Sequence, residues 1–551
     1  MSVVTAEKAG SAVPDVPLPP LPTHWLSLQR AFVRTARENW SKIAMADSLG
    51  ANLTFGSTLI RALALGRALG RELGPEQFVG VMIPPSAAGA VTNIALLLLG
   101  KVPINLNYSA SQSVIDSATD QTGIQHSVVS RKLMEKVKLT PKGSLIALED
   151  MPSKVGKLDK AWAAVMGRVV PMGALGSFLP GLKGDRPESI ATILFTSGST
   201  GEPKGVVLSH KNILSNVHQI RTQLDLDPLN VVALGVLPFF HSFGLTVGIW
   251  TILLLGKKAV YHTSPLDAKI VANLCEKHKI TLIAASPTFM RHYVRAGKPA
   301  QFSHIVHMVL GAEKLKPETY EEIVATIGVK PLEGYGTTEM SPVAAVNVPF
   351  EVTLPEGRVV EGNRRGTVGR PIPGTAIKTT DPETGEDLPR GAEGMIHVKG
   401  PQIMLGYFKQ PEATAKVLKD GWYCSGDLGH LDPDGFLVIT GRLSRFSKVA
   451  GEMVPHEGIE AALIKAAAID EHSIAVTSVP DPKRGERLVV LHTAWTISPA
   501  EACKKLNEAN LPRLWVPSAE DFIQVEAIPT LGTGKLDLRK IKEIAVEKIK
   551  N

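Results

Sequence analysis

The chain has 551 residues, which is too long for one hydrophobic core and predicts two or more domains. Hydrophobic residues make up 44% and charged residues 21% of it, the ordinary balance of a soluble globular protein. The net charge of +7 is small for this length, and no block of Lys and Arg stands out, so no nucleic-acid partner is expected. The three cysteines form neither a zinc-binding spacing nor a disulfide framework, which favours a reducing, cytoplasmic environment.

The sequence has no pattern typical of secretion or membrane insertion. Residues 1–10 lack a basic stretch followed by an apolar run. The longest apolar runs, Ile94–Leu99 and Val247–Leu255, are well short of the roughly 20 residues that a membrane helix needs. Each run is followed by Gly-Lys, which is typical of a buried helix that ends at a glycine. A peripheral contact with the inner face of a membrane is compatible with these residues.

The first predicted elements alternate between strand and helix. Residues 1–23 are rich in proline and predict a flexible lead-in. An amphipathic helix is predicted over Thr54–Leu73, a strand over Gln77–Ile83, a buried helix ending at Leu99, and a strand over Val102–Leu106. This alternation predicts an α/β fold with parallel, doubly wound sheets.

The middle of the chain continues the pattern. Ala161–Pro187 is weakly patterned and predicts a surface connection. A buried strand at Ala191–Phe195 ends in a polar loop, and a second strand follows at Val206–Leu208. Ser209 is a good N-cap for a helix at Lys211–Thr222.

Three further short strands, each followed by polar or glycine-rich residues, are predicted at Val231–Pro238, Thr281–Ser286 and His307–Leu310. In open α/β sheets ligands bind at the carboxyl ends of strands, so we expect the binding site where these strands end.

The composition changes near Gly366, where Gly, Pro, Asp and Glu become frequent and short strands alternate with turns. This pattern predicts a β-rich subdomain at 366–441 within a large N-terminal domain at 24–441. A mixture of strands and helices at 447–551 has the size of a minimal α+β domain. Residues 442–446 separate the two predicted domains.

The loop after the Ala191–Phe195 strand carries the strongest local signal of a ligand. It contains hydroxyl groups, glycines whose backbone N–H groups a ligand can approach, and a cation, at Thr196, Ser197, Gly198, Ser199, Thr200, Gly201 and Lys204. Many donors and few acceptors suit a polyphosphate. It is not a Walker A loop, because Gly205 follows the lysine where that motif needs Ser or Thr. Taken alone, the loop fits a plain turn as well as a phosphate site.

Six further motifs offer donors, a carboxylate, a cation or an aromatic ring beside glycine. They are Phe239-Phe240-His241-Ser242-Phe243-Gly244, Gly311-Ala312-Glu313, Glu333-Gly334-Tyr335-Gly336-Thr337-Thr338-Glu339, Trp422-Tyr423-Cys424-Ser425-Gly426-Asp427, Gly441-Arg442 and Leu531-Gly532-Thr533-Gly534-Lys535. Tyr335 offers a stacking surface and Glu339 an oxygen ligand for a hard cation. Taken singly, a lone histidine is more often structural, and a turn aspartate usually caps its turn.

In this order, the motifs resemble those of the adenylate-forming superfamily of acyl-CoA synthetases, luciferases and nonribosomal-peptide adenylation domains. The resemblance covers nearly all of the chain after Trp25. A narrower likeness, through Leu237–Gly248, Gly311–Leu315 and Gly441–Val454, is to the acyl–acyl-carrier-protein (ACP) synthetase portion of the bifunctional acylglycerophosphoethanolamine acyltransferase/acyl-ACP synthetase. Common acyl-CoA synthetases usually carry Asp or Lys and then Asp or Glu where this chain has Ser444 and Arg445.

The resemblance implies a two-step reaction with ATP and Mg²⁺. A carboxylate attacks the α-phosphorus of ATP, giving acyl-AMP and pyrophosphate, and a thiol then displaces AMP to give a thioester. The resemblance implies that the small domain rotates between the two steps about a hinge in residues 442–446, at Ser444. The rotation would remove Lys535 from the site and bring in a surface for the thiol acceptor.

The resemblance also implies a role for each motif. The loop Thr196–Lys204 would hold the β- and γ-phosphates, and Lys535 would bridge the α-phosphate and the acyl carboxylate. The remaining roles are Glu339 as Mg²⁺ ligand, Thr338 at the α-phosphate, His241 at the acyl pocket, and an adenosine site formed by Gly311, Ala312, Glu313, Tyr335, Gly336, Thr337, Asp427 and Arg442.

The function predicted from the sequence is a fatty acyl-ACP synthetase. The positive charge suits an acidic carrier protein, and Arg442–Lys448 could form part of its docking surface. The alternative is a long-chain fatty acyl-CoA synthetase, whose acceptor is also anionic. A P-loop ATP hydrolase is disfavoured by the missing Walker residue, and a non-catalytic acyl- or nucleotide-binding homologue is disfavoured by the retained Lys535, Glu339 and Asp427.

Overall fold

The computed structural model describes residues 16–184, 186–196, 203–450, 452–467, 469–509, 511–530 and 536–550. These residues divide into two compact units. The first contains the described residues up to Thr196, Pro203–Ser425 and His430–Val438, and the second contains Gly426–Gly429 and the described residues from Ile439 onward. The domain limits taken from the sequence stay predictions.

The α-helices of the described residues are α1 Leu28–Glu38, α2 Phe55–Leu69, α3 Ala87–Leu98, α4 Gln112–Thr122, α5 Arg131–Val137, α6 Met151–Lys154, α7 Lys157–Arg168, α8 Met172–Leu175, α9 His210–Gln223, α10 Ile252–Leu254, α11 Ala268–His278, α12 Pro287–Ala296, α13 Pro317–Ile327, α14 Pro411–Val417, α15 His456–Ala467, α16 Pro499–Glu508 and α17 Leu538–Lys550. A π-helical stretch at Phe243–Thr251 leads into α10. Among the described residues, no helix is long and apolar enough to cross a membrane.

The strands are β1 Ile43–Asp47, β2 Asn52–Thr54, β3 Phe78–Met82, β4 Val102–Asn105, β5 His126–Val129, β6 Ser144–Ala147, β7 Ile190–Thr196, β8 Lys204–Ser209, β9 Val232–Gly235, β10 Lys258–Tyr261, β11 Leu282–Ala285, β12 His307–Leu310, β13 Leu332–Gly336, β14 Val343–Val346, β15 Glu351–Thr353, β16 Val359–Glu361, β17 Arg370–Pro371, β18 Ala376–Thr380, β19 Gly394–Lys399, β20 Gly406–Tyr407, β21 Leu418–Lys419, β22 Trp422–Leu431, β23 Leu437–Arg442, β24 Phe446–Val449, β25 Glu452–Pro455, β26 Ile474–Asp481, β27 Gly485–His492 and β28 Phe522–Gln524.

The largest sheet of the first unit has nine strands in the order β17-β14-β13-β12-β11-β9-β10-β1-β2. Its strands β1, β10, β9, β11, β12 and β13 are parallel, and β2 and β14 are antiparallel to their neighbours. Buried side chains of α11, α12 and α13, such as Val271, Tyr293 and Ile323, pack in one core with strand residues such as Ile283. The predicted α/β fold is confirmed.

A second, four-stranded sheet in the order β4-β3-β5-β6 is parallel throughout, as the strand–helix–strand pattern predicts. A third sheet, β20-β8-β7, carries the antiparallel hairpin on either side of the polar loop. The predicted β-rich subdomain is also present, as the sheet β18-β19-β22-β21 with β23 paired to β22.

The surface connection predicted over Ala161–Pro187 contains regular structure that its weak pattern does not indicate. Helix α7 extends to Arg168, and α8 and a 3₁₀ turn at Pro180–Leu182 follow. Gly167 lies inside α7 and faces α2, where a Cβ atom would be in ordinary van der Waals contact with Leu63 at 3.6 Å and Leu59 at 3.7 Å.

The described part of the predicted flexible lead-in, residues 16–23, is bonded to the first unit. The carbonyl of Val16 accepts a hydrogen bond from the Gly374 N–H at 2.7 Å, and the carbonyl of Pro19 lies 3.1 Å from His218 Nε2. Residues 1–15 lie outside the described residues.

The second unit is built on the sheet β25-β24-β27-β26, with β28 paired to β27. It has two hydrophobic cores. Helices α15 and α16 contribute to the first, and α17 contributes to the second through the fully buried Ile541 and Ala545. The Arg445 guanidinium is buried here; it forms an ion pair with Glu460 and donates to the Val476 carbonyl at 3.1 Å. This α+β unit agrees with the small C-terminal domain that the sequence predicts.

Candidate active site

The predicted motifs follow neighbouring parallel strands. His241 comes after β9, Gly311 after β12, and Tyr335 lies near the end of β13, in the sheet order β13-β12-β11-β9. Since these strands are parallel, their carboxyl ends lie at the same edge of the sheet. The structure therefore brings these three motifs together at the edge where ligands bind in open α/β sheets.

Glycines allow the backbone at this edge to pack closely. A Cβ atom at Gly336 would lie 1.7 Å from the Pro342 carbonyl oxygen, so only glycine fits there. A Cβ atom at Gly311 would lie 3.1 Å from the Gly334 carbonyl oxygen. The chain then turns at Thr338–Met340, a 3₁₀ turn that carries Glu339.

Glu339 is the central buried carboxylate of this edge, with 9% of the residue exposed. Its Oε1 accepts a hydrogen bond from the Tyr407 hydroxyl at 2.9 Å. The Lys204 ammonium lies over the ring of Tyr407, with Nζ 5.0 Å from the ring centroid. One tyrosine thus contacts both the cation that closes the polar loop and the predicted magnesium ligand.

Backbone pairing fixes the position of Tyr407. Strand β20 pairs with β8, in the register Gly406 to Val207 and Tyr407 to Val206. The Met404 N–H donates to the Glu339 carbonyl at 2.8 Å, and the Phe408 N–H donates to the Gly205 carbonyl at 2.7 Å. Further up the chain, the Asn212 side chain at the start of α9 donates to the carbonyls of Pro401 and Ile403.

Tyr423 adds a second buried phenol to the same cluster. Burial raises the pKa of Tyr423 well above its ordinary value, and the neighbouring Glu339 and Tyr407 act in the same direction. The phenol therefore stays neutral at physiological pH, so it adds no charge that would repel phosphate. Thr337 and Tyr335 also lie close enough to affect this pKa.

Ser242, in the motif that contains His241, lies next to Thr338, in the turn that contains Glu339. The Ser242 hydroxyl lies 3.5 Å from that of Thr338, at the long end of hydrogen-bond distance. His241 is half-buried, and its ring centroid lies 4.4 Å from that of Phe240. His241 and Thr338 are thus held on adjacent segments.

The Gly311-Ala312-Glu313 segment has a left-handed residue, Ala312, with φ of 71°. The Glu313 carboxylate is already engaged, because its Oε2 accepts hydrogen bonds from the Thr288 hydroxyl at 2.6 Å and the Thr288 N–H at 3.3 Å. Glu313 therefore stabilises the first turn of α12, and a role at adenine would fall to the backbone of this segment.

In the second unit, Arg442 Nε lies 3.5 Å from Asp427 Oδ1. Asp427 is buried, whereas Arg442 and Ser444 are exposed. Ser444 lies in the 3₁₀ turn Leu443–Arg445, directly before the buried Arg445. The predicted Ser197, Gly198, Ser199, Thr200, Gly201 and Lys535 lie outside the described residues; Thr196 and Lys204 on either side of the polar loop face each other in the β7–β8 hairpin.

The sequence analysis did not assign functions to Tyr407 and Tyr423. Tyr407 lies 68 residues from Glu339 in the chain and stands beside a single glycine, so no local pattern distinguishes it. Tyr423 belongs to a motif that was singled out for its aspartate.

The residues around Glu339 suit a Mg²⁺ ion that takes most of its ligands from water and phosphate. Among the described residues, no group of three or more His, Cys, Asp or Glu side chains could hold a metal by itself. Mg²⁺ commonly takes one or two carboxylates and completes its shell with water and phosphate oxygens. The buried carboxylate of Glu339, which shares Tyr407 as a neighbour with the Lys204 ammonium, suits an ion that arrives with a nucleotide.

An apolar cavity lies against β9, β11 and the π-helical stretch. It is small, with room for about one water molecule (about 10 Å³), and it is lined by Ala233, Leu234, Gly235, Leu237, Phe243, Gly244, Val247, Gly248, Ile252, Leu282 and Ala284. Leu237 and Phe243 lie on either side of His241 in the chain. π-Helical turns often occur at functional sites.

Comparison with known proteins identifies the family of this chain. Residues 32–408 match the model of the family described as AMP-binding enzyme. A long-chain-fatty-acid–CoA ligase of Bacillus subtilis (strain 168) is 32% identical over 375 residues, covering 66% of this chain and 63% of that protein. A long-chain-fatty-acid–CoA ligase of Escherichia coli O6:H1 is 26% identical over 569 residues, covering 98% of both chains.

Among solved structures, the ATP-bound crystal structure of MatB from Rhodopseudomonas palustris superposes with a TM-score of 0.73 at 25% identity. The match covers 94% of this chain and 99% of that one. Because the family model spans more than half of the sequence and includes the strand-end cluster, the chain belongs to the AMP-binding enzyme family.

Proposed function

We propose that this chain is a long-chain fatty acid–CoA ligase. It is an AMP-forming acid–thiol ligase that activates a carboxylic acid as its acyl-adenylate, with ATP and Mg²⁺ as cofactors. The observation that carries this proposal is the contact of Tyr407 with both the Glu339 carboxylate and the Lys204 ammonium. Such an arrangement provides a cation for phosphate and a carboxylate for the metal within one cluster.

Each residue of the cluster has a physical role in the first half-reaction. Lys204 and Thr196 lie at the ends of the β7–β8 hairpin, where they would hold the β- and γ-phosphates. Glu339 would bind the Mg²⁺, which neutralises phosphate charge as pyrophosphate leaves. Thr338 would donate its hydroxyl to the α-phosphate. The neutral Tyr407 keeps the Glu339 carboxylate oriented without adding a charge.

The preferred acceptor differs from the one predicted from the sequence. The likeness of the Gly441–Val454 run favoured acyl carrier protein, but the relatives that match this chain over 98% of its length are named long-chain fatty acid–CoA ligases. CoA is therefore the better-supported thiol acceptor. Acyl carrier protein stays the second candidate because of the Gly441–Val454 likeness.

An acceptor assay tests the proposal. Purified protein is incubated with palmitate, ATP and Mg²⁺, and with either CoA or holo-ACP, and the AMP and thioester products are measured. We expect palmitoyl-CoA with stoichiometric AMP and pyrophosphate. Thioester formed only with holo-ACP would refute the CoA proposal and support the second candidate, and release of phosphate instead of pyrophosphate would refute both.

The residues around the apolar cavity are the proposed lining of the acyl site, which has to open further to admit a long chain, and Gly248 is the position at which this site can be narrowed. A Cβ atom at Gly248 would have no atom within 4 Å, and the Tyr261 hydroxyl donates to the Gly248 carbonyl at 3.0 Å. A side chain introduced at this position therefore begins in open space beside the cavity.

Gly248→Phe is expected to shorten the preferred acid. We expect kcat/KM for palmitate to fall by about tenfold or more while that for octanoate changes by less than about threefold, since each methylene that loses its pocket costs roughly 1 kcal/mol or more. A series of acids of increasing length measures the shift. Val247→Ala is the reciprocal variant and should favour longer acids; an equal loss for all acids in Gly248→Phe would show that the cavity does not bind the chain.

A further inference from the structure

Helix α7 has a stripe of exposed apolar side chains. Leu158 is 81% exposed, Val165 46% and Val169, the residue that follows the helix, 70%. They are separated by seven and four residues, a spacing that places them on one side of an α-helix. Large apolar side chains exposed singly are common, but aligned ones mark an interaction surface.

The stripe takes no part in holding α7 to the protein. The buried residues of the helix are Asp159, Ala163, Met166 and Gly167. Gly167 faces α2, and the Asp159 carboxylate is paired with Arg71 at 2.9 Å and Arg67 at 3.0 Å. The exposed stripe is therefore left over after the helix has made its packing contacts.

Cations border the stripe on both sides. Lys157 and Lys160 are exposed on α7 itself, as is Arg168 at its end. On the other side, the Arg67 and Arg71 side chains of α2 are 43% and 50% exposed. The carboxylate of Asp159 between them is only 7% exposed.

The acidic groups near this face are few and already engaged. Lys154 pairs with Glu72 at 3.0 Å, so these two charges cancel. From Pro152 to Lys183 the described chain contains Lys154, Lys157, Lys160, Arg168 and Lys183 and a single acidic residue, the buried Asp159. Apart from these pairs, the exposed charges of α7 itself, Lys157, Lys160 and Arg168, are all cationic.

We propose that this face of α7 binds the surface of an anionic phospholipid bilayer. A helix that lies in the membrane interface has an apolar stripe that enters the acyl boundary and Lys or Arg beside it at the headgroups. Anionic lipids attract such cations, each of which contributes about 1 kcal/mol. The charge pattern selects a lipid surface over a second copy of this chain, because two cationic faces repel each other.

The binding is independent of the proposed ligase activity, although it would place the protein where a water-insoluble acid is concentrated. The test therefore uses vesicles alone, without acid or ATP. Vesicles of phosphatidylcholine with phosphatidylglycerol are compared with vesicles of phosphatidylcholine, and the bound fraction is measured by flotation at low and high salt.

Two double variants and a matched control separate the contribution of the apolar stripe to vesicle binding from that of the cations. Leu158→Glu with Val169→Glu inverts the stripe, and Lys157→Glu with Lys160→Glu inverts the cationic border. The control, Leu266→Glu with Ile270→Glu, alters apolar residues that are 66% and 44% exposed at and before the start of α11. All of these positions are exposed, so each variant should fold, and its melting temperature confirms this.

We expect the wild-type protein to float with the anionic vesicles and to dissociate at high salt. Both α7 variants should lower the partition constant by about tenfold or more, while the control keeps it within about twofold. The proposal is overturned if the wild type does not bind the anionic vesicles, or if the control loses binding equally. It is also overturned if the stripe variant changes only the oligomeric state, measured by light scattering.

Discussion

Glu339→Gln is expected to lower the rate of acyl-adenylate formation by about 100-fold or more, the size of effect seen when one group that stabilises the transition state is lost. Glutamine keeps the shape and can still accept the hydrogen bond from the Tyr407 hydroxyl, which is 2.9 Å from Oε1 in the wild type. It removes the negative charge that a magnesium ligand needs. The measurement is pyrophosphate release with palmitate at increasing Mg²⁺ concentrations.

The dependence on Mg²⁺ distinguishes loss of a metal ligand from a general disturbance. In Glu339→Gln the Mg²⁺ concentration for half-maximal rate should rise. Tyr407→Phe, which leaves the carboxylate but removes its orienting donor, should produce the same change to a smaller extent, about tenfold. If Glu339→Gln lost activity with an unchanged Mg²⁺ requirement, the metal role assigned to Glu339 would be wrong.

Glu313→Gln is the matched control. It makes the same chemical change at another glutamate of the predicted site, whose carboxylate accepts hydrogen bonds from Thr288. Because Glu313 acts on the first turn of α12, we expect its loss to change the Mg²⁺ requirement by less than about twofold, as a surface substitution typically does.

The order of strands and motifs made much of the site predictable from the sequence. His241 and Gly311 each follow a strand predicted from a short apolar run, Val231–Pro238 and His307–Leu310, and the rule that parallel strands end at one edge places them together. The observed order β9, β11 and β12, all parallel, agrees with that expectation. The prediction worked because it depends on chain order and strand direction and requires no knowledge of side-chain contacts.

Contacts that depend on distant segments could not be predicted in this way. Tyr407 reaches Glu339 only because the two-residue strand β20 pairs with β8. A strand this short has no periodicity to detect.

The unusual pair Ser444-Arg445 is another example in which the sequence does not reveal contacts with distant segments. The sequence marked these residues as a departure from the common pattern, but the consequence depends on tertiary structure. Arg445 is 6% exposed and is held by Glu460 and the Val476 carbonyl. Arg445 is therefore fixed inside the second unit, and the hinge at the exposed Ser444, which lies in the same unit, stays a prediction.

Lys535→Ala is expected to separate the two half-reactions. Acyl-AMP formation from acid and ATP should fall by about 10³-fold, because a cation that neutralises charge on the transferring phosphoryl group contributes that much in related chemistry. Thioester formation from supplied palmitoyl-AMP and CoA should change by less than about threefold, since no pentacoordinate phosphorus forms in that step. The role rests on the Leu531–Lys535 motif, which lies outside the described residues.

Lys540→Ala supplies the matched control for this prediction. Lys540 is an exposed lysine in the first turn of α17, five residues after Lys535, so the variant removes an equal charge from the same part of the chain. Both half-reactions should stay within about twofold of wild type in this variant, as expected for a surface substitution. A loss of both half-reactions by the same factor in Lys535→Ala would indicate damage to the second unit and would contradict a role confined to adenylation. Full acyl-AMP formation in Lys535→Ala would show that the Lys535 charge is not needed at the α-phosphate.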